Sequence, residues 1–141
     1  MKGLSFITVA IASAVVMLVS GMVRAAGQPA PVFTAQQVAT GKAAFAKVCA
    51  GCHMPDLSGS NEVPPLAGMV FIDTWRDRTT KELYDYLSAE MPRGGEPQDK
   101  ETYLSLTAFI LQANGATAGE TPFAASTAMP IGTVTQAQGS R

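Results

Sequence analysis

Histidine and tryptophan each occur once in the 141-residue sequence, and cysteine occurs twice. A single histidine leaves no room for a multi-histidine metal site. Two cysteines exclude both a disulfide-dense scaffold and a four-cysteine zinc site. Charge is scarce as well: Asp, Glu, Lys and Arg make up 15% of the chain, with eleven acids against ten bases. A chain without a basic excess is not a nucleic-acid binder by charge. There is no internal repeat, and no alternation of apolar and polar residues strong enough to predict a strand, so the expected fold class is all-α.

The first residues carry a different signal. Lys2 supplies a positive start, Leu4 to Val23 contains no charged residue, and Val23-Arg24-Ala25 places small residues at a cleavage position. This predicts a signal peptide over residues 1–25, cut after Ala25, and a periplasmic location. The apolar run is longer than the usual signal core of roughly 7 to 15 residues, so a retained anchor, with the protein membrane-bound and facing the periplasm, is the alternative. Cleavage removes Lys2 and Arg24, leaving eight bases against eleven acids.

Residues 26–33 read as a Pro and Gly leader. Thr34 and Gln37 have capping-box spacing, with Phe33 and Val38 placed as a hydrophobic staple, which predicts a helix from about Thr34 to Val48. Its apolar stripe is Val38, Gly41, Phe45 and Val48. A glycine there costs about 1 kcal/mol relative to alanine, so its place on the apolar face predicts a second helix crossing closely. Pro55, Gly59, Pro64, Pro65 and Gly68 mark a loop region. Thr79 and Glu82 form a second capping box, opening a helix that stops near Glu90 because Pro92 disfavours helix at Met91. A third helix is expected from Gln98 or Asp99 to Ala113, ended by Asn114-Gly115. Residues 115–141 are low in complexity and read as a tail, with Phe123, Met129 and Ile131 as the residues able to dock. Only about 80 residues, 34–114, remain to pack, and units that small usually need a staple such as a disulfide, a metal or a cofactor.

The staple is written at Cys49-Ala50-Gly51-Cys52-His53, the attachment pattern of c-type haem. On a helical turn Cys49 and Cys52 share one side, so each thiol can form a thioether with one vinyl group of the same porphyrin edge, and His53 is carried over the ring. The competing readings are a thiol–disulfide pair and a zinc site. The first belongs at a helix N-terminus after a strand, whereas this pair ends a helix; the second needs a fourth ligand.

With one histidine, a bis-histidine haem is excluded and the sixth iron ligand must be something else. Met54 adjoins His53 and cannot swing to the opposite face. Met91, 38 residues beyond His53 and just before Pro92, is the expected axial partner. Met69, Met129 or an open position are the alternatives. Methionine sulfur favours reduced iron and raises the potential.

These residues together resemble the class I c-type cytochrome family over roughly Phe33 to Asn114. Gly41, Phe45, Cys49, Cys52 and His53 are similar to its first helix and haem motif, Val63-Pro64-Pro65-Leu66-Ala67-Gly68 to its proline loop, with valine for the leading glycine, and Met91-Pro92 to its distal ligand. Leu106 to Ile110 resembles the last helix, which crosses the first at the glycine. The resemblance implies a small cytochrome c fold of three core helices around one covalent haem c. It also implies a hydrogen bond from His53 to the Pro64 carbonyl, and Trp75 as an indole donor to a haem propionate, with plain core packing as the alternative. The implied activity is one-electron transfer between a redox protein donor and acceptor, not catalysis. Met91-Pro92-Arg93-Gly94-Gly95 and the Ala, Thr and Pro-rich tail resemble, more narrowly, the cytochrome subunits of quinoprotein dehydrogenases. A haem catalyst or gas sensor, which needs an open iron position, is the competing enzyme-class reading.

Overall fold

The computed structural model describes residues 30–135; the expected signal segment and its cleavage site lie outside them. Within this span there are six helical segments and no strand. They are α1 (Ala35–Val48), α2 (Ala50–His53), α3 (Met69–Trp75), α4 (Thr80–Glu90), α5 (Lys100–Ala113) and α6 (Ile131–Val134). None of these helices is long and apolar enough to cross a membrane.

The three principal helices begin where their caps dictate. In α1 the Gln37 amide donates to Thr34 Oγ1 at 3.2 Å while the Thr34 amide donates to Gln37 Oε1 at 3.3 Å. In α4 the Thr79–Glu82 pair repeats the device, and in α5 Asp99 Oδ1 accepts from the Thr102 amide at 2.7 Å. These backbone hydrogen bonds hold the Glu82 and Asp99 carboxyls below the usual carboxylate range.

The frame of the molecule is the crossing of α1 over α5. Gly41 is buried at that crossing, and a Cβ built on it would stand 1.9 Å from the Ser105 carbonyl oxygen. Beside it Phe45 and Phe109 meet with ring centroids 5.3 Å apart. The helix approach expected from the glycine is therefore present, and the missing side chain is what permits it.

Two elements depart from expectation. The short helix α3 was not signalled, because its cap residue, Gly68, has no side chain to bond and only the adjacent pair Phe71 and Ile72 is buried, which is not a helical period. The segment after Gly115 is not a loose tail within its described part. Phe123, Ile131 and Val134 are 2%, 0% and 1% exposed, so packing extends from Val32 to Val134 and not merely over 34–114. The Gln37 side chain clasps Phe123 by both backbone groups, accepting from its amide at 2.8 Å and donating to its carbonyl at 3.0 Å. Thr80 Oγ1 donates to the Thr127 carbonyl at 2.6 Å and accepts from the Met129 amide at 3.2 Å. Isolated bridges at Thr34–Gly119 and Thr79–Pro130 complete the attachment. The segment is thus a strap across the N-termini of α1 and α4.

Phe123→Ala is expected to cost about 3 kcal/mol, the lower end for a buried phenylalanine at a site able to collapse partly. Chemical denaturation of the two proteins measures it; a loss under about 0.5 kcal/mol, as for a surface residue, contradicts the strap.

Candidate cofactor site

The cysteine pair sits where α1 gives way to α2. The Cys49 amide still donates to the Phe45 carbonyl at 2.9 Å, closing α1, and the Cys49 carbonyl accepts from the amides of Cys52 and His53 at 3.1 and 2.9 Å. One turn therefore brings both thiols and the imidazole together. Met54, with φ at 63°, ends the turn, and the chain doubles back through a loop pinned by the Ser60 amide on the Val63 carbonyl at 2.8 Å and the Leu66 amide on the Leu57 carbonyl at 2.9 Å. Gly59 is required here: its φ is 68° and a Cβ would lie 2.3 Å from the Val63 oxygen.

This loop delivers the Pro64 carbonyl to His53 Nδ1 at 2.9 Å. A carbonyl only accepts, so Nδ1 carries the proton and Nε2 keeps its lone pair, the state a metal-binding imidazole requires. His53 itself is buried.

Cys49, Cys52, His53, Pro64 and Met91 all line one cavity of about 250 Å³ that opens to solvent. Val48, Leu66, Leu87, Leu106 and Ile110 give it apolar walls, and Glu62, Tyr86, Arg93, Gln98 and Tyr103 add polar groups. Of the four methionines in the described residues, Met91 alone lines it; Met54 and Met69 are 43% and 66% exposed, and the Met129 amide is tied to Thr80. Met91 caps α4 in an extended conformation, its amide on the Leu87 carbonyl at 3.1 Å.

Tyr103 and Asn114 are site-forming residues that the sequence reading left as core and helix terminus. The Tyr103 hydroxyl donates to the Met91 carbonyl and accepts from the Gln98 amide at 3.1 Å, holding the segment around Met91 against α5. Asn114 donates to the carbonyls of Leu66 and Ile110 at 2.9 and 2.8 Å and accepts from the Gly68 amide at 3.0 Å, anchoring the proline loop to the end of α5. A buried tyrosine needs a hydroxyl partner, which is the signal that pointed to the first. Trp75 does not line the cavity. It stacks on Phe71 at 6.2 Å and meets Tyr86 edge-on at 5.5 Å, packing behind Tyr86, which lines the cavity.

The donor set decides between the competing chemistries. Burial pushes the Cys49 thiol up, and the adjacent Cys52 adds to the effect, the opposite of the depressed thiol that a thiol–disulfide catalyst uses. Among the described residues no three His, Cys, Asp or Glu side chains converge as a zinc site needs. Two thiols one turn apart, an imidazole with Nε2 available, a thioether and apolar walls suit a flat tetrapyrrole.

An all-α fold built around such a cavity, with Cys-x-x-Cys-His on its wall, defines a c-type cytochrome domain. A family model described as cytochrome c oxidase, cbb3-type, subunit III matches residues 36–110, and the chain belongs to that family. The solved structure of the sulfane dehydrogenase SoxCD from Paracoccus pantotrophus contains a chain similar to this one at 26% identity, with a TM-score of 0.51. The match covers 79% of this chain and 59% of that one, so the chain spans about three fifths of its relative's length. No curated protein matches the sequence.

Proposed function

We propose that the protein is a one-electron carrier holding a single haem c, attached through thioethers to Cys49 and Cys52, with His53 and Met91 as axial ligands. The observation that carries this reading is the cavity wall shared by Met91 and a His53 ring whose Nδ1 is spent on the Pro64 carbonyl at 2.9 Å. When bound, the haem supplies a reversible ferric–ferrous couple. The chain's residues do the rest: Pro64 orients the imidazole, Tyr103 steadies the Met91 segment, and the leucine and isoleucine walls exclude water.

The N-terminal segment supports export to the periplasm, either free or anchored there, with electrons passing from a dehydrogenase to a terminal acceptor. The likeness to a chain of a sulfane dehydrogenase favours a second form of the same role, a haem subunit bound within a dehydrogenase complex. A quinoprotein dehydrogenase is the donor class that the Met91–Gly95 segment suggests. A haem catalyst has less support, since it needs an open position and a distal acid or base, and the chain has no second histidine.

The test is optical. Matured wild-type protein should show sharp reduced bands and the weak far-red oxidised band of sulfur on ferric haem. Met91→Ala should lose that band, and its potential should fall on the order of 0.1 to 0.3 V within the roughly 0.8 V range that axial ligands command. A high-spin wild type that binds carbon monoxide readily contradicts the ligand assignment.

A further inference from the structure

Two prolines in a row, Pro64 and Pro65, stand where the loop meets His53. Neither has an amide hydrogen, so this stretch cannot fix itself by donating backbone bonds. The Pro64 carbonyl is therefore placed by its neighbours. Before it, the Val63 carbonyl accepts from the Ser60 amide at 2.8 Å; after it, the Leu66 amide donates to the Leu57 carbonyl at 2.9 Å. Both of those bonds stay within the loop. The tie to α5 is Asn114, 48 residues beyond Leu66.

Asn114 is half-buried, and its amide is matched atom by atom. Its nitrogen donates to the carbonyls of Leu66 at 2.9 Å and Ile110 at 2.8 Å, and its oxygen accepts from the Gly68 amide at 3.0 Å. The Ile110 bond stays within α5 and closes its end. The other two cross to the loop, and with them Leu66 has both backbone groups engaged. Leu66 and Ile110 also line the cofactor cavity, so Asn114 joins the proline loop to a helix that forms part of the same wall.

On the cytochrome reading above, we propose that Asn114 is a positioning residue for His53: by fixing Leu66 and Gly68 it holds the Pro64 carbonyl on Nδ1, and through that bond it tunes the reduction potential. Asn114 does not line the cavity and acts through the loop alone. A carbonyl held on Nδ1 makes Nε2 a stronger donor, which favours ferric iron. A loosened loop lengthens that bond and moves the couple toward ferrous iron.

The experiment pairs redox titration of the matured holoprotein with hydrogen exchange at His53 Nδ1, followed by NMR on the ferrous, nitrogen-15-labelled protein. Asn114→Ala should shift the couple about threefold toward the ferrous form, a rise of about 28 mV for one electron. It should also speed exchange about tenfold, as the loss of one or two hydrogen bonds implies. Asn114→Ser separates capping from positioning. Its hydroxyl can still bond the Ile110 carbonyl four residues back, but it cannot span to both Leu66 and Gly68. The serine variant should show the same two shifts, and it carries the test should the alanine variant not fold. Gln37→Ala, which breaks the strap's clasp on Phe123, should lower stability and move neither readout. The proposal is overturned if the serine variant keeps the wild-type potential or the wild-type exchange rate, since Asn114 is then only a helix cap. It is equally overturned if Gln37→Ala shifts both readouts as far, since general loosening then suffices. A protein without covalent haem, or a high-spin ferrous wild type, overturns the underlying reading instead, and the optical spectrum tells the two failures apart.

Discussion

Replacing both Cys49 and Cys52 with alanine should leave no folded protein. Seventeen residues contribute to the wall of the cofactor cavity, among them Leu87, Leu106 and Ile110 from α4 and α5, so the space is not peripheral to the core but its centre. Unfilled apolar volume costs roughly 24 cal/mol per Å³, so leaving the 250 Å³ cavity empty would cost about 6 kcal/mol. Domains of this size have only about 5 to 15 kcal/mol in total. Water entering the cavity relieves only part of this, because the side chains of Val48, Leu66, Leu87, Leu106 and Ile110 offer it no polar partner. Circular dichroism and limited proteolysis of the haem-free double variant give the outcome. A helical, cooperatively melting apoprotein would refute it and would mean that the α1–α5 crossing and the strap suffice alone.

Gly41→Ala should also be strongly destabilising, though it looks benign in sequence. Alanine would gain about 1 kcal/mol in helix propensity. Against that, its Cβ would meet the Ser105 carbonyl oxygen at 1.9 Å, the Ser105 carbonyl carbon at 2.5 Å and Phe109 Cβ at 2.9 Å. The first two are backbone atoms of α5 and cannot rotate aside, so the helices must separate and the Phe45–Phe109 contact must open. Overpacking of this kind costs up to about 3 kcal/mol or more, and separation of the helices also reshapes the wall that Leu106 and Ile110 present to the cavity. A net loss of more than about 2 kcal/mol corresponds to a melting point lower by about 10 °C. Gly51→Ala, where nothing lies within 4 Å of the added atom, is the matched control and should melt near the wild type. Equal melting of the two variants would dismiss the crossing as the reason for Gly41.

What could be read in the sequence had local causes. Capping boxes lie within three residues, so α1 and α4 declared their own starts, and the cysteine pair with its histidine is a single turn. Gly41 was legible because an unfavourable residue on an apolar stripe requires a reason from elsewhere. Met91 was singled out by the shortage of other candidate ligands, and among the four methionines of the described residues it is the one that lines the cavity. What escaped depended on distant partners. Helix α3 has no cap and no period of its own. The strap's composition has no period, and although Phe123 and Ile131 stood out as residues able to dock, only their burial with Val134 shows the segment packed as part of the core. Trp75 was open to two readings, a propionate donor or core packing; Tyr86, one turn from the end of α4, lines the cavity with Trp75 packed behind it, and no spacing rule separates those two places for an indole.

The clasp between Gln37 and Phe123 joins residues 86 apart in the chain. Drawn from an open chain, closing such a loop costs about 4 kcal/mol in its logarithmic length dependence alone. Once α1 and α5 have crossed, both ends of the problem are already held, and the span left to close is only about ten residues, from the end of α5 to Phe123, which costs roughly half as much. The lower closure cost favours an order in which the helices cross before the strap docks. On this cost the strap is expected to close last, sealing the N-termini of α1 and α4 only after they have met.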